Sequence, residues 1–315
     1  MRKTLLIPIA AVLALLPSAS AAGGTAESPF ALPEPTGMIV AGGVSRDPYV
    51  GAISMDASTG EIFVSDHADR PGYPASTTKL MTLLLVLEDI ESGKSKTNEY
   101  AEASQFAAAQ IPSSVGLRPG QKMTVDDLLM ALMVKSANDA AVVLAEHAEG
   151  SVAAFVARMN RRAAQLGMTR TRFESPNGLS PDKVNKRGFD ISTAHDLAIL
   201  ACEIVKHPQT FRYTSRATAS VTDGSGNPLV LQSHNRFLTN RRLKIPGVDG
   251  LKTGYTDKGG SSIVLTAKRG ERRVIAVVLG SSSRETRETE AHRLISDAAD
   301  AVSLWQSKNR KRAKK

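Results

Sequence analysis

Ser261-Ser-Ile-Val-Leu-Thr-Ala-Lys268 and Arg273-Val-Ile-Ala-Val-Val-Leu279 flank the turn Arg269-Gly-Glu271. Both runs are rich in β-forming residues, and the glycine turn between them makes them a hairpin. On the C-terminal side, Leu294, Ile295, Ala298, Val302 and Trp305 form one stripe of an amphipathic helix predicted over Glu285 to Gln306. On the N-terminal side, Lys252-Thr-Gly254 follows Gly247-Val-Asp-Gly250 and reads as a further strand. A second hairpin stands at the other end of the body, with Tyr49 to Asp56 and Glu61 to Asp66 around Ala57-Ser-Thr-Gly60. Everything between these ends is helical in pattern. Strands first, helices in the middle, then strands and a helix imply an α+β fold: one antiparallel sheet built from both ends, with a helical region inserted.

The helical middle is divided by clear signals. Leu80-Met-Thr-Leu-Leu-Leu-Val-Leu87 is apolar nearly all round, so a helix there is buried on most sides and ends at Gly93. Thr124-Val-Asp-Asp127 has a capping-box shape and opens a helix over Leu128 to Val134. Ser136-Ala-Asn138 breaks the pattern before a helix over Ala140 to Glu149. Val152 to Leu166 is helical in spacing and stops at Gly167, a suitable C′ residue. Ser192 can cap a helix from Thr193 to Lys206, closed by Pro208.

Composition narrows the class. The chain has 315 residues, 42% hydrophobic and 23% charged, enough to bury a sizeable core and too apolar for disorder throughout. The single cysteine, Cys202, excludes a disulfide-stapled miniprotein. It lies in Leu197-Ala-Ile-Leu-Ala-Cys202, where a buried small side chain is its expected role. Net charge is +9, but Arg2, Lys3 and the six basic residues from Lys308 to Lys315 carry eight of those charges. The body between is near neutral, which argues against a nucleic-acid-binding face.

The first residues carry a targeting pattern. Arg2 and Lys3 precede the apolar run Leu5 to Leu16, and Ala19-Ser-Ala21 offers small residues for cleavage. Residues 1–21 are therefore expected to be a signal peptide, and 22–45 a Gly/Ala/Pro/Ser-rich leader. The mature chain is expected to be exported. No later segment is long and apolar enough for a transmembrane helix.

Three short motifs can carry chemistry. Ser76-Thr-Thr-Lys79 opens the buried helix, and positions three apart share a helix face. A serine hydroxyl is a weak nucleophile until a base takes its proton. A buried lysine, its ammonium destabilised by desolvation, can be that base. By itself the tetrapeptide also fits a helix start capped by Ser76 with a solvent-facing lysine. Ser136-Ala-Asn138 can present a hydroxyl and an amide side by side, or simply cap the next helix. Lys252-Thr-Gly254 offers a fixed charge, a hydroxyl and a residue without a side chain, so that a substrate backbone can approach the strand and add to its edge. It also fits an ordinary exposed strand.

Ser-x-x-Lys, Ser-x-Asn and Lys-Thr-Gly occur here in that order, in helix, loop and strand contexts. The set resembles the penicillin-binding proteins and serine β-lactamases. Pro74-Ala-Ser-Thr-Thr-Lys79, Ser136-Ala-Asn-Asp139, Pro176-Asn-Gly178 and Val248-Asp-Gly-Leu-Lys-Thr-Gly-Tyr-Thr256 are more closely similar to the low-molecular-mass D-alanyl-D-alanine carboxypeptidases. The resemblance covers residues 46–307. It implies a five-stranded antiparallel sheet flanked by helices, with a helical subdomain and the site between them. It implies Ser76 as the acylated nucleophile, Lys79 as its base and Ser136 as a proton shuttle. Asn138, Lys252, Thr253, Gly254 and Tyr255 are implied as substrate-binding positions, with Lys252 on the substrate's terminal carboxylate. Backbone N–H groups of Ser76 and Tyr255 would form the oxyanion hole. The implied partners are a peptidoglycan stem peptide and β-lactam inhibitors, with no nucleic acid, metal or cofactor. For an exported chain the periplasm is the expected location, with the outer face of a single-membrane cell as the alternative.

Two departures from the family pattern shape the expectation. Many members carry a second, β-rich domain and a C-terminal membrane-anchoring helix, whereas only Ser307 to Lys315 follow the last helix predicted here. The basic segment 308–315 is expected to be a tail that either touches an anionic membrane surface weakly or merely solvates the C-terminus. The second motif also reads Ser136-Ala-Asn138 and not the Ser-Asp-Asn of class A β-lactamases. Against a β-lactamase, the nearest counterpart of their Glu-x-x-x-Asn segment is Glu174-Ser-Pro-Asn177, which has the wrong spacing and reads as a loop with Glu174 exposed. An endopeptidase acting on cross-links remains the main alternative, ahead of a β-lactamase or a non-catalytic penicillin sensor.

Overall fold

Every strand expected at the two ends of the chain joins a single sheet. The computed structural model describes residues 46–179 and 188–312, with side chains given as far as Leu304 in the last helix. The expected signal peptide and leader lie outside the described residues, as do the Trp305 side chain and Ala313 to Lys315.

The strands in chain order are β1 (Gly51–Asp56), β2 (Ile62–Asp66), β3 (Tyr100–Glu102), β4 (Lys122–Thr124), β5 (Thr218–Thr222), β6 (Pro228–Gln232), β7 (Val248–Thr256), β8 (Gly260–Arg269) and β9 (Arg272–Ser281). Five of them form the antiparallel sheet in the order β2-β1-β9-β8-β7. Both faces of the sheet are covered. Val274, Ala276 and Val278 of β9 pack toward the C-terminal helix, while Ile275, Val277 and Leu279 join the core on the helical side. That alternation is the period of two of a pleated strand. One cross-strand row runs Ile53, Val277, Val264, Lys252. The first three are buried apolar residues of the helical-side core, so register alone sends Lys252 to that face.

The helices are α1 (Lys79–Glu91), α2 (Gln105–Ala108), α3 (Val125–Met130), α4 (Asn138–Glu149), α5 (Val152–Leu166), α6 (Ala194–Ile204), α7 (Thr210–Thr214), α8 (Arg236–Thr239) and α9 (Arg284–Arg312). Helix α1 is buried along Leu80 to Leu87, as its all-round apolar pattern requires. Thr124 caps α3 by accepting from Asp127 N, and Gly167 ends α5 in the left-handed region at φ 79°. The cap of α6 is Thr193, whose Oγ1 accepts from Asp196 N at 3.0 Å, and not Ser192. Ser192 instead exchanges backbone hydrogen bonds with Gly72. Helix α9 continues past the expected end at Gln306 to Arg312, into the basic segment. The two-stranded pairs β3–β4 and β5–β6 and the short helices α2, α7 and α8 were too brief to show a period in the sequence. Cys202 is half-buried and packs against the helical-side core, with its thiol pushed up to about 11, chiefly by burial. Among the described residues no single helix is long and apolar enough to cross a membrane.

Candidate active site

Ser76 lies in a single 3-10 turn, Ala75–Thr78, that leads directly into α1. Thr77 Oγ1 donates to Pro74 O at 2.7 Å and tightens the turn, so the serine side chain caps nothing. Ala75 is held at φ 51°, a conformation that costs an ordinary residue roughly 1–2 kcal/mol. Two glycines press on this turn from either side. A Cβ on Gly178 would fall 1.9 Å from Ala75 O, and one on Gly254 would fall 3.0 Å from Ser76 N. Backbone thus approaches backbone where a side chain would intervene, which fixes the serine in place.

Lys79, one turn on, is completely buried. Its Nζ lies 2.9 Å from Ser76 Oγ, 2.7 Å from Asn138 Oδ1 and 2.6 Å from Asn177 O. Burial, and next the positive charge of Lys252, hold its ammonium well below the ordinary lysine range. The neutral amine has two N–H donors and one lone pair. The two carbonyl oxygens can only accept, so they take both N–H groups. The lone pair is left for the Ser76 hydroxyl, which is the arrangement a general base needs.

Ser136 follows a π-helical turn, Ala131–Lys135, and adopts the left-handed region at φ 61°. It is 4% exposed and shares a cavity wall with Ser76. Asn138 sits at the start of α4, where its backbone N–H donates to Ser113 O. Its side-chain oxygen accepts from Lys79, and Asn138 is not among the residues lining the cavity. Asp139 beside it accepts from the N–H groups of Val115, Gly116 and Leu117 and ties that loop down next to Ser113, another residue of the cavity wall.

The cavity measures about 670 Å³. Thr253, Gly254 and Tyr255 on the sheet edge β7 form one wall, and Tyr255 stands 65% exposed at the rim. Lys252 does not itself line the space. It is 2% exposed, donates to Thr253 O at 2.8 Å, and has its ammonium brought down to about 7 by burial and by the charge of Arg287. Arg287, on α9, does line the cavity. It is buried, pairs with Glu288 at 3.2 Å, and has no acceptor for its Nε among the described residues. Arg236 and Arg284 complete a cationic end, His234 also lines the cavity, and the residues described as lining it include no carboxylate. Burial, then the Lys252 charge, hold His234 below the usual histidine range and favour its neutral form.

The structure thus brings Ser76, Lys79, Ser136, Asn138 and the Lys252–Tyr255 strand to one place. Sequence reading missed Arg287, His234 and the Asn177 carbonyl. Arg287 looks like any charged residue of an amphipathic helix, and a main-chain acceptor leaves no mark in a sequence. Glu174 departs from expectation: it is half-buried and paired with Arg172 at 3.0 Å.

Known proteins are similar to this chain in sequence and in fold. The sequence profile of the D-alanyl-D-alanine carboxypeptidase family matches residues 50–283. The D-alanyl-D-alanine carboxypeptidase DacF of Bacillus subtilis is 34% identical over 245 residues, covering 78% of this chain and 60% of the relative. The carboxypeptidase DacD of Escherichia coli is 34% identical over 249 residues, covering 77% and 61%. The chain therefore spans about three fifths of the length of these relatives. The fold of penicillin-binding protein D2 from Listeria monocytogenes, solved in an ampicillin-bound form, superposes with a TM-score of 0.67 at 32% identity, covering 79% of this chain and 96% of that one. Penicillin-binding protein 6B from Escherichia coli gives 0.68 at 33% identity, covering 79% and 76%. With the Ser76–Lys79 pair, the Ser136 loop and the Lys-Thr-Gly edge strand set around one cavity, the chain belongs to the serine D-alanyl-D-alanine carboxypeptidases, the low-molecular-mass penicillin-binding proteins.

Proposed function

We propose that this protein is an exported carboxypeptidase that removes the terminal D-Ala from peptidoglycan stem peptides through an acyl-enzyme on Ser76, and that penicillins inhibit it by acylating the same oxygen. The observation that carries the reading is the buried Lys79 amine 2.9 Å from Ser76 Oγ, with its other two partners both acceptors. Ser76 Oγ attacks the carbonyl carbon of the penultimate D-Ala while its proton passes to Lys79 Nζ. The oxyanion forms beside the N–H groups of Ser76 and Tyr255, where each donor is worth about 3 kcal/mol. The C–N bond then breaks, and Ser136 relays a proton to the departing D-Ala amine. Water attacks the ester, gives the shortened peptide, and returns the proton to Ser76. The terminal carboxylate sits at the cationic end, held by Thr253 and Arg287 with the charge of Lys252 close by.

A cavity lining without a described carboxylate supports a slowly deacylating penicillin adduct over a β-lactamase. Export to the periplasm rests on the pattern of residues 1–21, and weak contact with an anionic membrane on the basic segment 308–315. The test is covalent labelling with a fluorescent penicillin, together with release of D-Ala from a pentapeptide. Both are expected in the wild type and lost in Ser76→Ala. An unlabelled wild-type protein refutes the reading. Labelling with cleavage of a cross-linked dimer, and none of the pentapeptide, makes it an endopeptidase instead.

A further inference from the structure

We propose that Asp190 is a positioning residue for acyl transfer: acting through Ser175, it fixes the Asn177 carbonyl against Lys79 and so aims the base at Ser76. The inference rests on the assignment of Ser76 as nucleophile and Lys79 as base.

Asp190 lies on the segment that bridges Arg172 through Ile191 and is not among the residues lining the cavity. Its carboxylate is buried, and its hydrogen bonds among the described residues all go to one turn. Oδ1 accepts from Glu174 N at 2.7 Å and from Ser175 N at 3.0 Å, while Oδ2 accepts from the Ser175 hydroxyl at 2.7 Å. Ser175 Oγ in turn accepts from Gly178 N at 2.8 Å. The turn from Glu174 to Gly178 is therefore held at both ends by a single carboxylate–hydroxyl unit. Its outward products are two carbonyls aimed at α1: Pro176 O accepts from Thr82 Oγ1 at 2.6 Å, and Asn177 O accepts from Lys79 Nζ at 2.6 Å.

The second of those bonds has a chemical consequence. An amine on a flexible four-carbon stem rotates freely unless its N–H groups are claimed. Asn138 Oδ1 claims one and Asn177 O the other, which leaves the lone pair on Ser76. If the turn relaxes, one claim is lost and the lone pair is no longer directed. Small displacements of this kind cost a reaction far more than they cost a fold.

Charge adds a second, separable effect. Lys79 is faced by Lys252 from β7, by Asp139 from α4, by His234 from the cavity wall and by Asp190. Asp190 is faced by Glu174. The Asp190 and Asp139 charges favour the ammonium form of Lys79 and the Lys252 charge opposes it. Replacing Asp190 by its neutral isostere should thus release the Lys79 proton at lower pH while loosening its aim.

The experiment follows acylation by a fluorescent penicillin as a function of drug concentration and pH. It compares wild type, Asp190→Asn, Ser175→Ala and the double variant, with melting temperatures measured alongside. The expected maximal acylation rate is about tenfold or more lower in each single variant, with the half-saturating concentration within about twofold of wild type. The double variant should be no slower than the slower single one, because both act through one chain of bonds. The midpoint of the pH profile should move to lower pH in Asp190→Asn and stay in place in Ser175→Ala. If Asp190→Asn does not fold, Ser175→Ala decides alone. Single variants that acylate within about twofold of wild type overturn the proposal, as does a rate loss that only follows the loss of folded protein. A wild-type protein that is never labelled overturns instead the assignment of Ser76, so the two failures are distinct.

Discussion

Binding of a D-Ala-terminated peptide should take up a proton at Lys252. Burial and the neighbouring Arg287 charge hold the Lys252 ammonium at about 7, so near neutral pH half of the free enzyme carries an uncharged amine there. A substrate carboxylate entering the cationic end reverses that balance, because an opposite charge favours the ammonium form. With a midpoint near 7, about half of the sites are protonated at pH 7 and about a tenth at pH 8. If only the protonated form binds tightly, the apparent Kd rises about fivefold across that unit. Calorimetric titration of Ser76→Ala, which cannot be acylated, with an acyl-D-Ala-D-Ala peptide measures this directly. Run in two buffers of different ionisation enthalpy, it should report uptake of about half a proton at pH 7 and nearly one at pH 8. The same peptide with a C-terminal amide should show weak binding and no uptake. Arg287→Gln removes a like charge, so the Lys252 ammonium should persist to higher pH and the break in affinity should move with it. An affinity for the carboxylate peptide that stays flat from about pH 7 to pH 8.5 would refute the reasoning.

Other outcomes can be checked on the same protein. Gly178→Ala places a Cβ 1.9 Å from Ala75 O at a residue with φ +79°, so denaturant unfolding should show a loss of about 3 kcal/mol or more, with penicillin labelling lost in parallel. Asp190 is raised from 3.8 to about 6, chiefly by burial, so between those values the folded state holds more protons than the unfolded. Stability should therefore be greatest below about pH 4 for this group and fall by up to about 3 kcal/mol as pH rises to 6; Asp190→Asn should flatten that limb in a urea titration. Removing residues 308–315 should weaken sedimentation with anionic vesicles at low salt and leave D-Ala release unchanged; equal sedimentation of both forms would make the segment a simple solvating tail.

The parts of this molecule that were legible in the sequence are those with a period or a spacing. The hairpin around Arg269-Gly-Glu271, the all-round apolar α1 and the cap at Thr124 each follow from local pattern, and together they place Ser76 at the start of a buried helix. The three motifs then fall around one cavity because β7 is the sheet edge beside that helix. What the sequence did not yield has no local pattern. The Asn177 carbonyl acts through main-chain geometry that three residues of a turn do not announce. Arg287 matters because the face of α9 it occupies meets the cavity, a fact of tertiary packing. The choice of Thr193 over Ser192 as the α6 cap was decided by the Gly72–Ser192 bridge, a contact between residues far apart in the chain.

The burial of α1 on all sides has a further consequence for how the protein can fail. Ser76 and Lys79 stand where a 3-10 turn runs into the helix that anchors the larger core, so the amides along Leu83 to Leu87 should be among the slowest to exchange with solvent water. Opening that segment alone would expose Leu80 to Leu87, which amounts to opening much of the core with it. Activity and foldedness should then be lost together as one cooperative event. The rim residue Tyr255, by contrast, is exposed and takes no part in that core. Substitutions should correspondingly be better tolerated at that rim than along the helix, where almost any change is also a change to the core.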